Sequence, residues 1–438
     1  MTDHLERAWR DVADHLDRLR AEQQVPSVVV GSFRAGRIRF ASAGNLASGR
    51  QPTPDIQYRI GSITKTFTAA AVVDLARSGR LDLDEPLCSR IPEILAVEGG
   101  IGDAHQITVR HVLRHRSGLP GEAALPYWKH EKFPGPQRLL ASLRRSELFA
   151  VPGTEFKYSN LGYALLGVLV SRAGGRSYRD YVDQLVGARG LTDTGWRPAT
   201  PAVGHNRDGD AGVVPASFPD MAAMSPSGSL WSTCADQLRW LADHAAAVRS
   251  NPGPLLERPA GLGWFCTPDD PSLHSHGGAV PGYQSFVAVD VEADVGVVVL
   301  TDLLGHTLGE EVGARLLGRQ SPRPERAAVS EPESDGTLAG VYQWNGLRAH
   351  VRRQGDMVSL SFPVIPQASA PPVLCRPGPA RGQFIALSGR FAGEPLTFSH
   401  DGLTLPGGAW LARLRPDTAA SSLSTTAAER SSVQGTCT

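Results

Sequence analysis

Gly61-Ser62-Ile63-Thr64-Lys65-Thr66-Phe67 sets a serine and a lysine three positions apart at the opening of a helical pattern. Phe67, Ala70, Ala71 and Leu75 recur behind it at helical spacing, and Ser78-Gly79 supplies a stop. On such a helix Ser62 and Lys65 lie one turn apart on one face. Lysine is scarce in this chain: only Lys65, Lys129, Lys132 and Lys157 occur, so 40 of the 44 basic residues are arginine. An arginine keeps its proton in a protein. A lysine near other cations or out of water can become neutral and take a proton from a hydroxyl. Ser62 and Lys65 form the one S-x-x-K among the four lysines, and the plain alternative is an amphipathic helix with a snorkelling lysine.

The surrounding chain is that of an ordinary globular protein. Its 438 residues leave room for two or three domains, and 44 basic residues balance 44 acidic ones at 41% hydrophobic and 20% charged composition. No nucleic acid partner and no charged membrane surface is implied. No apolar stretch is long enough for a membrane span. Leu5, Trp9, Val12, Leu16 and Leu19 give the first residues an amphipathic helical pattern without the apolar core of a signal peptide, so the expected location is cytoplasmic. The five cysteines are scattered and lack C-x-x-C spacing, which suits reduced thiols better than a metal site or a disulfide framework.

Two further stretches carry chemistry. In Phe156-Lys157-Tyr158-Ser159-Asn160 a phenol that can relay a proton precedes an amide that can orient a carbonyl, although Ser159 or Asn160 could merely cap the apolar helix that follows. In His274-Ser275-His276-Gly277-Gly278-Ala279-Val280-Pro281-Gly282-Tyr283 the paired glycines let a donor strand run close to a ligand, while a lone histidine is more often structural. Tyr127, Trp128 and Phe133 sit on a loop where they could line an entrance or pack the loop down. Trp231 could wall a pocket, though a core position is the commoner fate of a tryptophan. Around these stretches the pattern predicts a strand pair over 27–33 and 37–43, helices over 137–148, 235–248 and 309–317, and paired strands over 286–290 and 295–301. Residues 321–335 read as a linker. Short alternating segments over 336–415 read as a small antiparallel barrel or sandwich, and 416–438 as a disordered tail.

Together, the S-x-x-K, Y-x-N and His-Gly-Gly stretches resemble the serine β-lactamase and penicillin-binding protein superfamily, most closely its class C-like branch of esterases and D-aminopeptidases. Arg59-Ile60-Gly61-Ser62, His115-Arg116-Ser117-Gly118-Leu119, Pro152-Gly153-Thr154-Glu155-Phe156 and Leu230-Trp231-Ser232-Thr233 add to the likeness, which covers roughly residues 5–320. It implies an α/β (α+β) β-lactamase/transpeptidase-like fold, an antiparallel sheet flanked by helices with an all-helical subdomain, over residues 1–320. The added C-terminal part resembles a lipocalin-like β-barrel. It also implies covalent acyl transfer: Ser62 as nucleophile, Lys65 and Tyr158 handling its proton, and the backbone N–H groups of Ser62 and Ala279 as the oxyanion hole. Asn160, Gly277, Gly278 and Ala279 would hold the substrate, with His276 organising Tyr158. No cofactor and no metal enter that chemistry. A G-x-S-x-G elbow is absent.

One departure matters. His276 stands where classical β-lactamases of this superfamily carry a lysine, so the fixed charge that would meet a penicillin carboxylate is missing. The expectation is therefore an ester or amide hydrolase, or a D-peptidase, acting on a small-molecule or peptide substrate, with any β-lactamase action weak. The alternatives are a stand-alone thioesterase or acyltransferase that releases or cyclises peptides and, in another class, a silent peptide- or acyl-binding protein. The oligomeric state is not readable from sequence.

Overall fold

The computed structural model describes residues 2–34, 36–98, 102–125, 127, 132–208, 212–217, 219–250, 260–266, 270–319, 338–344, 347–361, 373–380, 382–387, 395–399, 402–405 and 410–413. Trp128, the linker expected at 321–335 and the tail expected from 416 lie outside the described residues.

Valine-rich runs build the centre. Strands β1 (Ser27–Arg34), β2 (Arg37–Gly44), β3 (Tyr58–Arg59), β4 (His205–Asp208), β5 (Gly212–Pro215), β6 (Trp231–Ser232), β7 (Ala260–Gly261), β8 (Trp264–Cys266), β9 (Leu273–Val280), β10 (Tyr283–Asp290) and β11 (Val295–Thr301) precede the C-terminal segment. Seven of them form one sheet in the order β2-β1-β11-β10-β9-β8-β7, and every pair in it is antiparallel. Alternate residues of a strand point to opposite faces. Val28, Val30, Val297 and Val299 thus pack with Val12, Leu16 and Leu19 of helix Thr2–Glu22 and with Val312 and Leu316 of helix Leu308–Leu316. Val29, Val287, Val298 and Leu300 face a second, larger core shared with helices Thr64–Arg77, Asn160–Gly174 and Cys234–Ser250. A sheet covered on both faces needs continuous apolar strands, which is why β11 is buried along its whole length.

Helices Val109–Leu113, Pro136–Ser142, Asn160–Gly174 and Tyr178–Gly187 contribute to the same core and make up the helical part of the expected α+β fold. The helix read over 137–148 is shorter in the structure: it ends at Ser142 and tightens into a 3₁₀ turn over Leu143–Arg145. Thr233 opens helix Cys234–Ser250 by accepting the Asp236 N–H on its hydroxyl.

The C-terminal segment closes into an antiparallel eight-stranded barrel: β12 (Gly340–Trp344), β13 (Leu347–Gln354), β14 (Met357–Ser361), β15 (Val373–Pro377), β16 (Gln383–Ala386), β17 (Pro395–Phe398), β18 (Gly402–Thr404) and β19 (Trp410–Arg413). Tyr342 pairs with Arg413 to join first strand to last. The inside is filled by Tyr342, Val351, Leu360, Leu396, Leu403 and Leu411, among others. Strands β15 and β17 escape the sequence pattern because each is short and bounded by a proline, which cannot donate to a ladder. Among the described residues no helix is long and apolar enough to cross a membrane.

One contact fixes the helix that follows the Tyr158 motif. A Cβ added to Gly167 would lie 2.1 Å from Pro226 Cγ. Glycine to alanine inside a helix normally gains about 0.5–1 kcal/mol, but overpacking of a tight contact costs about 1–3 kcal/mol. Gly167→Ala is therefore expected to lower stability in urea denaturation followed by tryptophan fluorescence; a gain would mean that the Pro226 ring gives way freely.

Candidate active site

Ser62 is delivered by a short extended segment that is bonded on both sides. Strand β3 pairs with β6, the Ile60 N–H donates to Leu230 O at 3.0 Å, and Ser285 Oγ donates to Ile60 O at 2.9 Å. Gly61 then takes a φ of +50°, a left-handed turn that suits a residue without a Cβ. A Cβ there would stand 2.7 Å from Ala279 N and 3.1 Å from Gly278 C. The Gly61-Ser62 backbone and the end of β9 are therefore in close approach, with no side chain between them. Gly278 is equally constrained, since a Cβ on it would lie 2.0 Å from Ile60 O.

Ser62 sits in the 3₁₀ turn Gly61–Ile63 that runs into helix Thr64–Arg77, and the helix register brings Lys65 back beneath it. Lys65 is fully buried, and its Nζ donates to Ser62 Oγ at 3.1 Å and to Ser227 O at 2.6 Å. The same helix is clamped from its other side. Phe67 stacks on Trp240 at 4.1 Å, Trp240 Nε1 donates to Thr66 Oγ1 at 2.9 Å, and Thr68 Oγ1 donates to Pro226 O at 2.7 Å.

Tyr158 is the third member brought to this point. Lys65 Nζ stands 4.7 Å from its ring centroid. Ser159 takes the N-cap role: its hydroxyl accepts the Gly162 N–H at 2.8 Å and donates to Pro120 O at 2.6 Å. The cap therefore lies between Tyr158 and Asn160, with Asn160 the first residue of the helix. The Asn160 amide does not stand alone, because its Nδ2 donates to Glu122 Oε1 at 2.6 Å. The other Glu122 oxygen accepts a short bond from the Tyr127 hydroxyl, and the Glu122 side chain is buried. Tyr127 and Phe133 are themselves buried, which packs their loop down.

Two histidines flank Tyr158, and both are electrically silent. His115 stacks on the Tyr158 ring at 4.4 Å, and its Nδ1 accepts the Ser159 N–H at 3.0 Å, which leaves the ring proton on Nε2. Burial holds it neutral well below the usual imidazole range, with the charge of Lys65 and then His276 adding to the effect. His276, on β9, lies 6.4 Å from the Tyr158 ring and 4.9 Å from that of Phe265. Burial first, and the Lys65 charge second, depress its pKa to about 3, against a bond between Nδ1 and Gly277 O at 2.6 Å. Phe265, on β8, completes an aromatic flank with Tyr158 at 6.1 Å and the exposed Phe156 at 6.3 Å.

Ser62, Lys65, Tyr158, Asn160, His276 and the Gly277-Gly278-Ala279 backbone thus come from three separate stretches to one region. Trp231 takes the commoner fate: it is buried against Tyr283 at 5.4 Å, with the Arg59 guanidinium 4.8 Å from its ring. From its stretch it is the Ser227 carbonyl that reaches Lys65. Spacing alone did not single out His115, Phe265 or Glu122. His115 lies in a quoted signature, but its stacking on Tyr158 depends on a distant turn. Phe265 and Glu122 carry no local pattern at all.

The sequence model described as Beta-lactamase matches residues 12–320. The chain belongs to the beta-lactamase family. Its homologues there are serine hydrolases of the β-lactamase and penicillin-binding-protein-like superfamily. Protein flp of Staphylococcus aureus (strain MW2) is 24% identical over 320 residues, covering 65% of this chain and 63% of its own, so this chain matches less than two thirds of that relative. Penicillin-binding protein 4 of Amycolatopsis lactamdurans is 26% identical over 377 residues, 76% of this chain and 97% of that one. Among solved structures, the octameric penicillin-binding protein homologue from Pyrococcus abyssi shares the fold at a TM-score of 0.63 and 21% identity, over 92% of this chain and 98% of that one. In this member of the family His276 of β9 is held neutral by burial. The histidine resonance that vanishes in His276→Gln is therefore expected to show no protonation between about pH 8 and pH 5 in an NMR titration, where a free imidazole titrates near about 6.5. A midpoint inside that window would contradict the burial described here.

Proposed function

We propose that this beta-lactamase family member is a serine hydrolase of esters or amides that works through a Ser62 acyl-enzyme. The observation that carries this reading is the Ser62 Oγ held 3.1 Å from the Nζ of a fully buried lysine. As Ser62 Oγ bonds to the substrate carbonyl carbon, its proton passes to Lys65, which accepts it as the neutral amine. The bond to the leaving alcohol or amine then breaks, and that group departs with a proton returned through Lys65 and Tyr158. Negative charge on the carbonyl oxygen would be met by the Ser62 and Ala279 N–H groups, whose backbones the absence of a side chain at Gly61 lets approach. Water then repeats the attack on the acyl-enzyme and restores Ser62.

A neutral His276 supports uncharged leaving groups over the carboxylate-bearing leaving group of a penicillin, because no imidazolium is available there at pH 7. Asn160, two residues beyond Tyr158, would hold the acyl part.

Intact-protein mass spectrometry after mixing with a p-nitrophenyl ester tests this. Wild type is expected to show a transient adduct of one acyl mass, and Ser62→Ala none. Lys65→Met should slow acylation roughly 10²–10⁴-fold, the usual scale for loss of a positioned base. An adduct that persists in Ser62→Ala, or its absence from wild type with every ester tried, would overturn the reading in favour of a binding protein. Adding an amine separates two kinds of acceptor: release to water marks a hydrolase, and release mainly to the amine marks an acyltransferase.

A further inference from the structure

His115, in the turn that leaves helix Val109–Leu113, holds Tyr158 by three contacts. Its carbonyl accepts the Lys157 N–H at 2.7 Å, its ring Nδ1 accepts the Ser159 N–H at 3.0 Å, and the ring stacks on the Tyr158 phenol at 4.4 Å. The residues on both sides of Tyr158 are thus tied to one residue from a distant turn. The imidazole also packs at 4.9 Å against Tyr163, a second phenol near the amine: Lys65 Nζ lies 4.7 Å from the Tyr158 ring centroid and 5.6 Å from that of Tyr163. The Tyr163 hydroxyl donates to Leu113 O at 2.9 Å, and burial holds it well above the usual phenol range, so Tyr163 is no rival for the proton. His115 makes its contacts with a φ of +56°, a left-handed conformation that residues with a side chain seldom adopt and that gathers at functional sites. A ring that only filled the core would need no acceptor. Burial keeps this one uncharged, which leaves Nδ1 the lone pair that the Ser159 N–H requires.

Resting on the serine acyl-enzyme reading above, with Tyr158 in its proton relay, we infer that His115 is the positioning residue of that relay: it fixes the Tyr158 phenol against Lys65 by accepting the Ser159 N–H and stacking on the ring, and it acts on the reaction only through Tyr158. Proton transfer depends steeply on distance and alignment, so a phenol free to turn is out of reach for much of the time. The stack restrains the ring, and the Ser159 bond fixes the backbone from which the ring projects. Substrate binding has no part in this, so the loss of His115 falls on kcat and leaves KM where it was. Asparagine is the informative replacement. It tolerates the left-handed turn and carries an amide oxygen that can accept an N–H, but it has no ring to stack.

The test is a double-mutant cycle on hydrolysis of a p-nitrophenyl ester, with His115→Ala and His115→Asn each made in wild type and in Tyr158→Phe. Tyr158→Phe alone is expected to lose roughly 10²–10⁴-fold in kcat, the scale for a positioned acid–base group. His115→Ala should lose roughly 10²-fold in kcat, the scale for a misplaced group, with KM little changed. In Tyr158→Phe the same change should cost less than about threefold, because nothing is left to position. His115→Asn should fall between wild type and His115→Ala. A merely structural brace would cost the same in both backgrounds. That result, or a loss confined to KM, overturns this inference and leaves the acyl-enzyme intact, as does full activity in Tyr158→Phe. If His115→Ala does not fold, His115→Asn runs the same cycle. In wild type the ¹⁵N resonances of the ring should show Nδ1 without a proton, and a proton there overturns the inference by itself. Absence of any acyl adduct on Ser62 in wild type overturns the acyl-enzyme reading, and this inference with it.

Discussion

The amine of Lys65 is the constraint on which the rest depends. A side chain of that length, wholly out of water, is tolerated only when its polar end is held, and here Ser62 Oγ and the Ser227 carbonyl hold it. Each partner in turn requires a piece of architecture. Ser62 needs the left-handed turn at Gly61, which needs strand β9 to pass without a side chain in the way. Ser227 needs the turn around Pro226, which Gly167 admits against helix Asn160–Gly174. That helix is the one that presents Tyr158 and Asn160 at its start. A single buried nitrogen thus ties the sheet, the Ser62 helix and the helical part into one site.

The electrostatics follow from the same burial. The two histidines that border Tyr158 are held neutral by desolvation first, and whenever Lys65 carries its proton that charge makes further positive charge nearby costly. Neutral rings can pack against the phenol, as His115 does, and one bonded nitrogen sets the tautomer. On the other side the Glu122 carboxyl group accepts from the Asn160 amide. The site therefore has an aromatic flank on the sheet side and a hydrogen-bonded carboxyl group on the helical side.

Much of this was legible in the chain itself. The S-x-x-K spacing works because a helix turn brings i and i+3 together, so Ser62 and Lys65 could be paired without coordinates. The valine runs at 28–30 and 297–300 announce strands buried on both faces. Turn signals separated most barrel strands, although those bounded by Pro377 and Pro395 were hidden because proline argues against a ladder. Helix Pro136–Ser142 ran short of its apolar pattern, since the pattern does not mark where a helix tightens into a 3₁₀ turn.

By itself, the sequence determined the local chemistry: a hydroxyl and an amine one helical turn apart, a phenol beside a capping serine, and two glycines on a strand able to approach a ligand. Those features depend on short-range geometry, which a few consecutive residues dictate. Only the tertiary structure decided which distant groups would share the site. His115 reaches Tyr158 through a left-handed turn, Phe265 through its place next to β9, and Glu122 through a loop fastened to Asn160. Trp231, which local context left open, went to the core because β6 pairs with β3 and lays its ring against Arg59 and Tyr283. Contacts between residues far apart in the chain follow from how whole elements pack, and no short stretch carries that information.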